Sequence, residues 1–236
     1  MNRYGSNRRD SINTGSGSDD IRLGGNRNTS YTNTGSGNDT VSRTGSFNND
    51  RIDATGYGSK DIRLAGNSNR ADVTTGNGSD TVSVSGNRNS SNINTGYGAD
   101  RLLAGGTNNK TNANLGAGND RFDQSGSGNR SNVDLGSGNN QAVIGGNGNK
   151  DTVKAGYGND YYRVTGANNT VNIKDAGGSN TLSLAGNSWD WSKNYNSADN
   201  SWSYYNAALN NRVNAQGNFN VQYDNNAWCP PPPRVC

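Results

Sequence analysis

The chain has 236 residues, of which 28% are hydrophobic and 17% charged, with a net charge of +3 and no histidine. Its mean hydropathy is -1.01 and asparagine supplies close to a fifth of it, so a conventional globular core of this length cannot be filled and histidine chemistry is excluded. The weak charge also excludes a strongly self-repelling polyelectrolyte, and a polar chain of this kind folds only if regular repeats supply the same few buried residues to their neighbours.

The regularity begins at Gly5, where "GSNRRDSINT" opens the first half-repeat with only "MNRY" before it, leaving little to cap a first coil. Gly15, Gly35, Gly56, Gly76, Gly96, Gly116, Gly136 and Gly156 then follow at twenty-residue intervals, with one step of twenty-one. A second set, from Gly5 through Gly25 and Gly45 to Gly166, interleaves at the half-period. Two turn types alternate to about Gly186. One reads GxGxDx and then an apolar residue ("GSGNDTV", "GNGSDTV", "GYGADRL"), and the other reads GNxN, a small residue and V/I ("GNSNRADVTT", "GNGNKDTVKA").

Each turn leads into a short alternating run, such as Ile62/Leu64, Val82/Val84, Val133/Leu135 and Leu182/Leu184, the period of a strand with one buried face. Runs this short form no isolated sheet, but they wind into coils in which each strand pairs with its equivalent one coil later. The expected fold is all-β: a parallel β-solenoid over residues 1–186, with about nine twenty-residue coils of two strands and a length of about 43 Å.

The GxGxDx half-repeat resembles the nonapeptide of the RTX (hemolysin-type calcium-binding) repeats, GGxGxDxUx, over about three quarters of the chain. The resemblance implies a β-roll whose glycine turns hold Ca²⁺, export through a type I channel without a cleaved N-terminal signal, and an extracellular or cell-surface location. The metal-ligand candidates are Asp19, Asp39, Asp80, Asp100, Asp120 and Asp160, since carboxylates stacked one rung apart repel unless a cation lies between them. A second reading has each aspartate accept backbone N–H groups of its own turn. The chain departs from the family in lacking the leading glycine, in a half-period of ten, and at Lys60 and Asn140, which occupy aspartate positions. Lys60 is a candidate internal counterion. On the other edge Asn28, Asn48, Asn69, Asn89, Asn109, Asn129, Asn149 and Asn169 form a column in which amide-to-amide stacking is expected.

Outward strand positions such as Thr81/Ser83 and Arg121/Asp123 mix threonine with charge, and basic residues are scattered along the chain, which supports neither an ice-binding face nor a nucleic-acid partner. No carboxylate pair stands out from the repeat, so no enzyme is expected. No eighteen-residue apolar run or N-terminal apolar segment exists, so neither a membrane span nor a secretory signal of the usual type is expected.

Composition changes at Asn187. Residues 187–236 hold all four tryptophans and half of the aromatics, and "WCPPPPRVC" leaves Cys229 and Cys236 open to pairing within the chain, pairing with another chain, or remaining free. Trp189, Trp191, Trp202, Tyr204, Tyr205, Phe219 and Tyr223 read as a cap or as a subunit interface. The expected function is a structural subunit that assembles with itself head to tail into a filament or matrix. The alternative is a monomeric calcium-dependent adhesin or an ice- or glycan-binding module whose partner is a cell-surface glycan.

Overall fold

The computed structural model describes residues 1–224; the Cys229 and Cys236 pairing lies outside them. The chain is a parallel β-solenoid of about nine coils. Strands alternate between two facing sheets. Among the described residues sheet I has eleven strands, from Asn2–Tyr4 through Asp20–Gly24 to Asn180–Ala185 and Phe219–Asp224; sheet II has twelve, nine from Arg9–Asn13 to Thr170–Gly177 and three in a C-terminal extension. Pairing is in register at one repeat, as in Ile52↔Val73 and Leu102↔Phe122, so every side chain meets its own counterpart one rung away.

Register turns the alternating sequence into a narrow core. Ile21, Val41, Ile62, Val82, Leu102 and Phe122 stack as one fully buried column of sheet I. Each inward position of a strand stacks on equivalents above and below, so few apolar residues suffice.

Buried carboxylates make parts of the core polar. The Arg43 Nε donates to Asp50 Oδ2 at 3.0 Å across the two sheets, and Ser30 Oγ donates to the other Asp50 oxygen at 2.5 Å. Farther along, Gln124 Nε2 donates to Asp151 Oδ2 at 2.6 Å, and the Ser131 N–H reaches the other Asp151 oxygen at 2.9 Å. Burial pushes the Asp50 carboxyl up, against the lowering effect of Ser30 and Arg43. Burial likewise raises Asp151 to about 6, despite Gln124 and Ser131. Such bonds fix the offset of one sheet against the other, a constraint that apolar contacts supply weakly.

The last coil is interrupted. After Asn180–Ala185 the chain leaves the stack, forms an antiparallel hairpin from Trp191–Asn196 and Ser201–Asn206, and returns to complete the coil with Asn211–Gln216 and Phe219–Asp224. Trp191 and Tyr204 are buried, and the Trp191 Nε1–H donates to Ala185 O at 3.0 Å. Trp202, Phe219 and Tyr223 are half-buried against the core, with Phe219 packed edge-on to Tyr162 at 5.8 Å. Trp189, 80% exposed, and Tyr205 take no part in this packing. Among the described residues no helix is long and apolar enough to cross a membrane.

Candidate cation column

Both turn columns use one device, different from the expected amide-to-amide and own-turn bonds. On the asparagine edge each side-chain oxygen accepts the backbone N–H of the asparagine one coil earlier, as in Asn89 N–H to Asn109 Oδ1 at 2.8 Å and Asn109 N–H to Asn129 Oδ1 at 2.9 Å. Except at Asn48, whose buried Nδ2 has no partner, each Nδ2 then donates to turn carbonyls: Asn129 Nδ2 reaches Gly106 O at 3.1 Å and Ser125 O at 3.0 Å. One side chain thus satisfies an N–H and a carbonyl that the tight turn leaves without ladder partners, and adds a second donor to Gly106 O, which already accepts the Ser127 N–H. The ladder continues through Arg8 N–H to Asn28 Oδ1 at one end and Asn169 N–H to Asn211 Oδ1 at the other.

The aspartate edge repeats the first half of this device. Asp19 N–H donates to Asp39 Oδ1 at 3.0 Å, Asp80 N–H to Asp100 Oδ1 and Asp100 N–H to Asp120 Oδ1 both at 2.8 Å. Asp120 N–H donates to Asn140 Oδ1 at 2.9 Å, Asn140 N–H to Asp160 Oδ1 at 2.7 Å, and Asp160 N–H to Asn180 Oδ1 at 2.9 Å. All six predicted aspartates therefore stand in one column, together with Lys60, Asn140 and Asn180.

The second half fails where the residue is aspartate. Asn140 shows what the position asks for: its Nδ2 donates to Gly138 O at 3.1 Å and Gly136 O at 3.4 Å. An aspartate puts an acceptor where that donor stands, and the Oδ2 atoms of Asp19, Asp80, Asp100, Asp120 and Asp160 are buried without a hydrogen-bond partner. Such an oxygen costs about 1–3 kcal/mol unless a proton or cation joins it. Burial, with the Asp100 carboxylate as a lesser cause, pushes Asp120 up to about 7. Burial also raises Asp100, and it raises Asp160 to about 6 with Asp175 adding repulsion.

Lys60 supplies the missing charge on its own rung. Its buried ammonium donates to Asp39 Oδ2 at 2.8 Å, Gly37 O at 2.6 Å, Gly35 O at 3.1 Å and Tyr57 O at 3.3 Å. A cation in this column is therefore held by one carboxylate oxygen and a cluster of turn carbonyls. That hard oxygen set suits Ca²⁺, so the residues present fit the ion the resemblance implies. Among the described residues no three His, Cys, Asp or Glu side chains converge, and backbone carbonyls must provide most of the ligands.

Replacing Lys60 by methionine strands Asp39 Oδ2 and the turn carbonyls. A loss of about 3–5 kcal/mol in chemical denaturation is expected without added metal, with partial recovery in calcium as Asp39 becomes available to the ion. A loss below about 1 kcal/mol would contradict the role given to this ammonium.

No protein-family model matches the chain, and none of the curated proteins matches it either.

Proposed function

We propose that this chain is an RTX-like, calcium-stiffened solenoid with a non-enzymatic, structural role outside the cell, joining copies of itself end to end. The observation that carries the reading is the Lys60 ammonium seated among Asp39 Oδ2 and the glycine-turn carbonyls, while the same column buries five carboxylate oxygens with nothing to bind. Calcium at those oxygens would join adjacent coils and make the rod rigid only where calcium is plentiful, as it is outside cells.

End-to-end growth is supported by strand direction. The final hairpin reverses the chain twice, so Trp191–Asn196, the last strand of sheet II, runs parallel to the solenoid strands. It points the same way as Arg9–Asn13 at the other end, and a parallel ladder can therefore pass from one copy to the next.

Calcium titration of chelator-stripped protein, followed by melting curves and negative-stain microscopy, tests both parts. The expected result is a higher melting temperature with calcium and rods that lengthen with protein concentration. An unchanged melt at millimolar calcium sinks the metal; uniform short particles at high concentration with calcium present sink the assembly.

A further inference from the structure

The basic residues that look scattered along the chain are gathered by register. In sheet II, Lys110 pairs with Arg130, and Lys150 follows on the next strand at the same position. Four residues along the same strands, Lys154 pairs with Lys174. Both rails are exposed; they stand about 13 Å apart, with rungs about 4.8 Å apart. Between them lies a polar floor of Asn112, Asn132, Thr152 and Asn172. One carboxylate, Asp134, faces outward on these four strands, with an oxygen accepting the Gly136 N–H.

The two faces of the rod differ in how their charges are spent. On sheet I most arginines are paired: Arg22 with Asp20, Arg63 with Asp61, Arg101 and Arg121 with Asp123, Arg163 with Asp224. The five rail cations have no ion pair or side-chain hydrogen bond among the described residues. Like charges on adjacent rungs repel, and an anionic chain lying along the rod axis removes that cost.

We propose that the outer face of sheet II from Lys110 to Lys174 is a track for an extended acidic polysaccharide, a polyuronate with one carboxylate per sugar. A rung is about the length of one sugar unit, so successive carboxylates meet successive cations, while the amides and hydroxyl of the floor match sugar hydroxyls. The floor between the rails carries no aromatic ring; the exposed Tyr157 stands beyond Lys154 at the end of its strand, so the floor itself lacks the row of rings on which single-stranded nucleic acid stacks. The rails are lysine and arginine, so the track stands apart from the calcium column on the rod's edge.

The test is fluorescence anisotropy with a labelled, short, non-gelling oligogalacturonate and the full chain. K154Q/K174Q is compared with R101Q/R121Q, which removes the same number of cations from sheet I. The expected result is salt-sensitive binding, weakened about tenfold or more by the first pair and under about twofold by the second. Methyl-esterification of the oligomer should abolish it. No binding, equal weakening by both pairs in variants with unchanged melting curves, or tighter binding of a single-stranded oligonucleotide of equal charge would each overturn the proposal.

Discussion

Asp120→Asn is expected to stabilise the calcium-free protein at pH 8 by about 2–3 kcal/mol, raising its melting temperature by roughly 5–10 °C. The reason is local. Asparagine keeps the oxygen that accepts the Asp100 N–H and puts an amide donor where Asp120 Oδ2 is buried without a partner, as Asn140 already does one coil later. The sign of the pH dependence follows from the Asp120 carboxyl at about 7 in the folded chain, against about 3.9 when unfolded. Between those values the folded state binds the extra proton. Calcium-free wild type therefore loses stability as pH rises from about 4 to about 7 and stays low above that. The gain from asparagine should be small at pH 4.5, large at pH 8, and cancelled or reversed in saturating calcium, where only the wild-type carboxylate can take the ion. Melting curves at the two pH values, in chelator and in calcium, check all three limbs. A variant that melts lower than wild type in chelator at pH 8 would contradict the description of the column.

The second large effect concerns one glycine column read at two heights. Gly15 and Gly136 hold the same repeat position and both have positive φ, +85° and +73°. A Cβ added at Gly136 would fall 1.6 Å from Gly116 O, whereas at Gly15 it would meet nothing within 4 Å. Gly15→Ala should cost only the left-handed backbone penalty, about 1–2 kcal/mol. Gly136→Ala must also push two coils apart and should cost about 4 kcal/mol or more, or prevent folding. Denaturant titration of the two variants measures the difference. Equal losses would mean that the corners do not stack as described.

The fold was legible in the sequence because a solenoid writes each structural fact many times. The glycine spacing gave the coil, alternation gave two strands per coil, and the repeated aspartates and asparagines gave the two edge columns. What single copies encode was harder to read. Arg43 stands at an inward position held by Leu23 and Leu64 in neighbouring coils, and its partner Asp50 lies across the core; the signal was a pair of departures from consensus seven residues apart. The asparagine ladder resumes at Asn211, 42 residues after Asn169, because the hairpin is inserted into the last coil, and no fixed period bridges that gap.

At the candidate site, residue identities and the Lys60 counterion role were readable, since Lys60 breaks a column of carboxylates. The bonding was not. Stacked amides and a stacked N–H ladder leave the same sequence pattern, and only the register shows that the side-chain oxygen reaches back to the previous coil's N–H. The lysine and arginine rails were hidden for a related reason: they lie about twenty residues apart in the chain and become neighbours only through parallel pairing.

The cation column is tested most directly by metal density in a crystal grown with calcium. Ions are expected beside the buried carboxylate oxygens of the Asp80, Asp100 and Asp120 run, ligated by turn carbonyls, and none beside Asp39, where the Lys60 ammonium already sits. A calcium-saturated crystal with no ion along that edge, or with an ion displacing Lys60 while the other aspartates stay bare, would contradict it.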